Sequence, residues 1–326
     1  MKFLVVGLGS MGKRRIRNLL HHNIKSKNIF GFDLSPERRQ EAEEKFEINT
    51  FAKFDTAISE ANPDAFIIST PPHLHAEYFL YAAKHKKHFF VEVATTNDGY
   101  KKLYPLLNDE FIAAPSVTFR YYHAVQKIKK IVESKEIGKI LAFNHHLGQY
   151  LPDWHPWEDY RKFYASHKAS SACKEMVPYE LQWLQFILDD EFVKTKGMTN
   201  KQSDLDMNID DTYMAILESK KGILGTMIVE LIARPAVRFL RLLGSEGTLE
   251  WDWQRYEIRV WSTKNNKWRK IKLPKGKKIA GYKTTTEEMY EAELGDFLSA
   301  IKGKKKYPYT FAEDAKNFEI LEQIER

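Results

Sequence analysis

Lys2-Phe3-Leu4-Val5-Val6-Gly7-Leu8-Gly9-Ser10-Met11-Gly12 opens the chain, and the reading of the fold starts from it. Lys2 to Val6 is a short apolar run of the strand type. Gly7 to Gly12 follows with the spacing G-x-G-x-x-G, and Lys13 to Leu20 reads as a helix. A second strand, Asn28 to Phe32, ends on Asp33. Each glycine has a physical task in a dinucleotide site. Gly7 makes the tight turn, Gly9 lets a pyrophosphate approach the backbone, and Gly12 lets the helix pack on the strand. The helix start, with Ser10 and Met11, offers N–H groups to phosphates. Asp33 stands where a carboxylate accepts bonds from both hydroxyls of an adenosine ribose, which favours NAD over NADP because a 2′-phosphate would meet a like charge. FAD and S-adenosylmethionine are the chemical rivals at such a turn. Lys13, Arg14 and Arg15 add positive charge near the phosphates, or form a solvated first turn.

Composition narrows the class. A chain of 326 residues with 43% hydrophobic content supports two domains with real cores. No apolar run approaches the ~20 residues of a membrane span, and the first residues lack the pattern of a secretory signal. Cys173 is the single cysteine, which excludes an internal disulfide and fits a reducing cytoplasm. The net charge of +7 gathers largely in Lys275–Lys278 and Lys302–Lys306, both read as exposed turns. No helix-turn-helix, zinc-finger or RNP-like pattern accompanies them, so nucleic acid is not the expected partner.

Strands and helices alternate through the first third. Ser35 caps a helix at Pro36–Lys45, Asp64 to Ser69 is a buried-type strand, and His88 to Val91 is another, ending on Glu92. Phe111 to Ala114 is a further short strand. The expectation is a doubly wound parallel Rossmann sheet over residues 1–120. An α+β domain over 121–326 should carry a large, open, mostly antiparallel sheet, because the later strands are joined by turns with few helices between them. A helix is expected at Ala124–Lys135, a second at Val177–Leu188, and a last one from Phe311 with Thr310 as N-cap, a candidate to pack back on the first domain.

Taken together these pieces resemble the glucose–fructose oxidoreductase/inositol dehydrogenase family (Gfo/Idh/MocA). The resemblance rests on the glycine motif, on Thr70-Pro71-Pro72 with His75, on Glu92, on Glu136-Ile137-Gly138-Lys139 and on Gly244-Ser245-Glu246-Gly247-Thr248. It implies an NAD(P)-dependent dehydrogenase or reductase acting on hydroxyl or carbonyl groups of sugar-like compounds, and an open sheet that forms a homo-oligomer interface. Thr70-Pro71-Pro72 and His75 would border the nicotinamide ribose, and Arg120 would stand near the cofactor.

Two departures bear on catalysis. Family members usually carry Glu-Lys-Pro after the fifth strand, with a lysine beside nicotinamide and substrate; here the residues are Glu92-Val93-Ala94. Many members also carry Asp-x-Gly-x-His-x-x-Asp on a substrate-domain helix. Here Glu175, Tyr179 and Gln182 take those places, as in branches with tyrosine and glutamine. Tyr179 is the candidate proton donor; a substrate hydrogen bond or a packed ring are its other roles. Lys174 is a conceivable substitute cation. The run Gly148 to Arg161 offers Trp154 for stacking on a sugar and His155 and Arg161 for hydroxyl or anionic groups. It reads equally as an aromatic flap, and no metal is assigned to it. Loss of the lysine also admits a catalytically silent NAD-binding scaffold or sensor.

Overall fold

The computed structural model describes every residue except 155, 157–158 and 277–285. The chain forms two compact units: Met1–Thr118 with Glu287–Ala315, and Phe119–Thr286 with Lys316–Arg326.

The first unit begins β1 (Phe3–Val6), α1 (Ser10–His21), β2 (Ile29–Phe32), α2 (Pro36–Phe46), β3 (Asn49–Phe51) and α3 (Phe54–Ala61). It continues β4 (Ala65–Ile68), α4 (His75–Lys84), β5 (His88–Val91), α5 (Tyr100–Leu103) and β6 (Ala113–Pro115). The six strands are parallel in the order β3-β2-β1-β4-β5-β6. That is the doubly wound order whose switch point lies beside β1. All four residues of β1, β2 and β4 are buried, as a sheet covered on both faces requires. Ser35 starts α2 by accepting from Arg38 N–H at 3.2 Å, with Pro36 at the first helical position.

The second unit contributes α6 (His123–Glu133), β7 (Ile140–Gly148), α7 (Ala172–Leu188), β8 (Phe192–Asn200), β9 (Thr212–Ser219) and β10 (Leu224–Glu230). Then come β11 (Val237–Gly244), β12 (Gly247–Asp252), β13 (Glu257–Ser262) and β14 (Lys267–Lys272). Among the described residues these strands form one open sheet in the order β14-β13-β12-β11-β7-β10-β9-β8. Only β7 and β10 pair in parallel. α7 begins at Ala172, ahead of the expected Val177, because Ser171 Oγ caps it at Lys174 N–H, 3.3 Å away. The helix runs on through Pro178.

The chain ends with α8 (Glu287–Ile301) and α9 (Phe311–Ile324). α8 returns to the first unit, where Leu294, Phe297 and Leu298 join Phe3, Val5, Ile16 and Phe90 in one core cluster. Sequence reading did not foresee this helix. α9 starts with the expected cap: Thr310 Oγ1 accepts from Glu313 N–H at 3.2 Å, and Glu313 returns a carboxylate to Thr310 N–H at 2.9 Å. The boundary between the units falls within α9. Lys302–Lys306 is an exposed turn as expected, whereas Lys277 and Lys278 lie outside the described residues.

Candidate functional site

In the first unit the glycine turn has the shape that its sequence called for. Gly7 sits at φ +90°, its N–H donates to the Phe32 carbonyl at 2.8 Å, and an added Cβ would lie 2.8 Å from the Ser69 carbonyl oxygen. A Cβ on Gly12 would lie 1.8 Å from the Gly7 carbonyl oxygen, so only hydrogen fits where α1 crosses β1. A Cβ on Gly9 would meet nothing within 4 Å. The protein therefore does not need glycine at this position for its own packing, and the backbone here is open to the approach of a ligand. Gly9 is the N-cap of α1 without a side-chain cap, and the first turn, with Ser10 and Met11, holds no acid. This helix end is electrostatically open to a diphosphate.

Asp33 is buried at the end of β2. Its carboxylate accepts from Leu8 N–H at 2.7 Å and Ser35 N–H at 2.9 Å, which fixes its plane and leaves lone pairs for two further donors. Arg38 lies 3.7 Å away. Lys13, Arg14 and Arg15 are neither a free cationic patch nor solvated. Lys13 pairs with Glu41, Arg14 with Glu287, and Arg15 with Glu92 and Glu293.

At the end of β4, Thr70 and Pro71 lead into a short turn over Pro72–Leu74, and His75 opens α4. His75 Nε2 donates to the Thr70 carbonyl at 2.8 Å, so Nδ1 is the acceptor. Burial pushes the His75 pKa down to about 4 against the opposing pull of Thr70 and Glu92, leaving the ring neutral at pH 7. His75 Nδ1, Ser69 Oγ and Thr70 Oγ1 are all buried without a hydrogen-bond partner among the described residues. Such orphans need explaining, and a polyhydroxylated ligand would supply the missing donors and acceptors. The open Gly9, the fixed Asp33 and this ledge together fit NAD.

The second unit presents Glu175, Tyr179 and Gln182 along one face of α7, the i, i+4, i+7 stripe of a helix. Glu175 and Tyr179 are half-buried and Gln182 is buried. The Tyr179 ring packs on Phe119 with centroids 5.6 Å apart. Arg120 Nε donates to the Gln182 carbonyl at 3.1 Å, and its guanidinium lies 5.4 Å from the Phe186 ring. Lys174 is taken by Glu325 at 2.9 Å.

The loop after β7 is stitched to the end of β10. Gln149, Tyr150 and Leu151 donate to the carbonyls of Glu230, Ala233 and Leu231, each at 3.1 Å. Arg234 grips Asp153 with two bonds at 3.0 and 3.1 Å, and its guanidinium lies 3.6 Å over the Tyr150 ring. Trp154 Nε1 is buried without a hydrogen-bond partner among the described residues. Arg161 is exposed and forks onto Asp159, which holds the Asp159 pKa down at about 2. His155 lies outside the described residues.

Sequence reading missed a buried polar cluster behind Tyr179. Glu180, fully buried, accepts from His145 Nε2 at 2.7 Å, Trp183 Nε1 at 2.8 Å and Arg238 Nη2 at 2.7 Å. Burial pushes its carboxyl up, but Arg238 and His145 outweigh it and hold the pKa below the ordinary range. The Arg238 guanidinium also lies 4.2 Å over the Phe119 ring. Alternation could have revealed this cluster, since Phe143, His145 and Leu147 share one face of β7 and a basic residue there needs an acid.

A doubly wound dinucleotide domain followed by an α+β unit with an open sheet defines a class of nicotinamide-dependent oxidoreductases. Two family models agree with it. The model for the oxidoreductase family with an NAD-binding Rossmann fold matches residues 1–110, and the model for the GFO/IDH/MocA C-terminal domain matches residues 125–250. The chain belongs to this family. Levoglucosan dehydrogenase of Pseudarthrobacter phenanthrenivorans is 35% identical over 127 residues, 37% of this chain and 32% of that protein. Inositol 2-dehydrogenase of Salmonella paratyphi B is 21% identical over 239 residues, 71% of this chain and 67% of that protein. The match thus spans about a third of the first relative and two thirds of the second. A solved levoglucosan dehydrogenase, in complex with NADH and levoglucosan, superimposes with a TM-score of 0.82 at 20% identity, covering 99% of this chain and 97% of that one. That likeness establishes the shared fold. Among the described residues no helix is long and apolar enough to cross a membrane.

Proposed function

We propose that the protein is an NAD-dependent oxidoreductase acting on a hydroxyl or carbonyl group of a sugar or sugar derivative. The observation that carries the reading is the glycine turn: Gly9 faces open space while Gly7 and Gly12 are sterically obligatory, and Asp33 is held rigid beside them. Bound NAD supplies the acceptance or donation of a hydride at its nicotinamide ring. Gly7, Gly9, Ser10, Met11 and Gly12 would hold the diphosphate, and Asp33 the adenosine ribose. Thr70, Pro71, Pro72 and His75 would border the other ribose. Relatives named for levoglucosan and for inositol make a polyhydroxylated ring the natural substrate class.

In the reducing direction, the substrate's carbonyl carbon gains a hydride and its oxygen gains the Tyr179 phenolic proton. In the oxidising direction the C–H and O–H bonds break and the proton returns to the tyrosine oxygen. Glu175, Gln182 and Trp154 hold the substrate, while Arg161 reaches an anionic group only by leaving Asp159. Without the usual lysine beside Glu92, no cation of that motif lowers the acidity barrier of the substrate hydroxyl, so positioning carries more of the acceleration.

The second unit's sheet also supports a homo-oligomer. Met198, Met214, Ile216 and Leu224 are at least half exposed on one face of β8, β9 and β10, whereas the alternate residues Leu217, Met227 and Val229 are buried. An apolar sheet face of this kind suits a second copy of the chain.

The test is titration with NADH, followed by an absorbance screen of sugars, sugar phosphates and nucleotide sugars. Turnover lost in Tyr179→Phe with NADH affinity retained supports the assignment. Tight NADH binding with no turnover across the panel favours the scaffold or sensor that Val93 suggests.

A further inference from the structure

Glu230 ends β10 with its carboxylate buried and three donors upon it. Oε2 accepts from the consecutive N–H groups of Ile232 and Ala233 at 2.6 and 2.8 Å, and Oε1 accepts from His146 Nε2 at 2.9 Å. Two successive N–H groups converging on one oxygen form a nest, so this acid shapes the turn that follows its own strand. The Leu231 N–H donates to the Asp211 carbonyl at 2.9 Å, which ties the same turn to the residue before β9.

The substrate loop leans on that turn. Its residues Gln149, Tyr150 and Leu151 donate to the carbonyls of Glu230, Ala233 and Leu231. Trp154 N–H then donates to the Leu151 carbonyl at 3.0 Å, across the short turn Leu151–Asp153. Arg234, next after the nest, holds Asp153 and covers the Tyr150 ring. A continuous set of hydrogen bonds therefore joins the Glu230 carboxylate to the backbone of Trp154.

Gly148 is a second, independent sign of the same anchor. It lies opposite Glu230 in the β7–β10 register. An added Cβ would collide with Glu230 Oε1 and lie 2.8 Å from Ala233 Cβ. Gly148 is strand backbone, so the glycine provides room and not a turn. A carboxylate pinned by three donors does not swing aside as a free side chain would.

We propose that Glu230 is a positioning residue: it sets the root of the substrate loop and, through it, the place of Trp154 against the substrate. This rests on the reading that the loop after β7 meets a sugar-like substrate.

The experiment uses the full chain and the sugar turned over fastest in the absorbance screen. KM, kcat, NADH affinity, melting temperature and hydrogen exchange of the Gln149–Leu151 amides are measured in the wild type and four variants: Glu230→Ala, Glu230→Gln, Gly148→Ala and His146→Ala. In Glu230→Ala and Gly148→Ala the KM should rise about tenfold with kcat within about twofold, the mark of lost substrate binding without lost chemistry. The three amides should exchange about tenfold faster, as a loop root that opens locally does. Glu230→Gln keeps an acceptor for the two N–H groups and should recover most of the affinity. His146→Ala removes only the Oε1 partner, from a half-buried side chain, and decides the matter should Glu230→Ala not fold; about threefold in KM is expected of it. An unmoved KM in folded variants that bind NADH overturns this proposal and leaves the oxidoreductase reading standing. Variants that lose NADH affinity and melting temperature together mark Glu230 as a residue of the fold alone, and overturn it too. A wild type without turnover on any sugar removes both readings.

Discussion

Replacing Glu180 by alanine should unfold the second unit more readily than any surface change. The carboxylate is fully buried and takes three hydrogen bonds, from His145, Trp183 and Arg238. Truncation leaves the Arg238 guanidinium, itself nine-tenths buried, without its carboxylate, and two further donors unanswered. Breaking a buried pair by removing one partner costs about 3–5 kcal/mol. Glu180→Gln keeps the shape and one acceptor, so about 1–3 kcal/mol is expected, the worth of charge-assisted bonds. All seven tryptophans fall between residues 154 and 268, so urea unfolding followed by tryptophan fluorescence reports on this unit. The pH dependence has a definite sign. The folded carboxyl is held below its ordinary value near 4.5, so the native state binds fewer protons than the unfolded chain. Its contribution is complete above about pH 4.5 and is lost as the pH falls through the folded value. Both variants should therefore show a shallower acid loss of stability than the wild type. An alanine variant that costs under about 1 kcal/mol with an unchanged acid slope refutes the reasoning.

The glycine turn separates folding from binding. Gly12→Ala should destabilise the first unit and abolish NADH binding, whereas Gly9→Ala should keep its circular dichroism and melting temperature and lose about tenfold or more in NADH affinity. His75 titrates at about 4 when folded against an ordinary 6.5, so its neutral burial costs stability progressively as the pH falls from 6.5 towards 4. His75→Gln should remove that component, on the order of 3 kcal/mol at the acid end, in far-UV melts. Ile216→Lys on the exposed sheet face should shift sedimentation towards a single copy while leaving NADH affinity unchanged.

The legible parts of this chain are those in which one local pattern determines one local structure. Gly7, Gly12 and Asp33 declare themselves because a turn without Cβ atoms and an acid closing the next strand have few other uses. The strands of the open sheet follow from alternation. α8 was illegible because it buries Glu287 and Glu293, residues that any pattern reading assigns to solvent; their partners Arg14, Asn18 and Arg15 lie some 270 positions earlier. For the same reason Arg14 and Arg15 read as a charged surface. On α7 the Glu175–Tyr179–Gln182 stripe was visible from spacing, but Glu180 was not, since its charged partners His145 and Arg238 come from β7 and β11. Arg161 and Lys174 looked available for a ligand because their acids, Asp159 and Glu325, are found only once the chain is folded.

The return of α8 has a consequence for biogenesis. The first 118 residues leave the ribosome long before Leu294, Phe297 and Leu298 exist to cover Ile16 and Phe90. A nascent chain with that face bare is sticky. The Rossmann half should therefore be a client of holding chaperones until α8 has been translated, and a fragment stopped at Thr118 should precipitate.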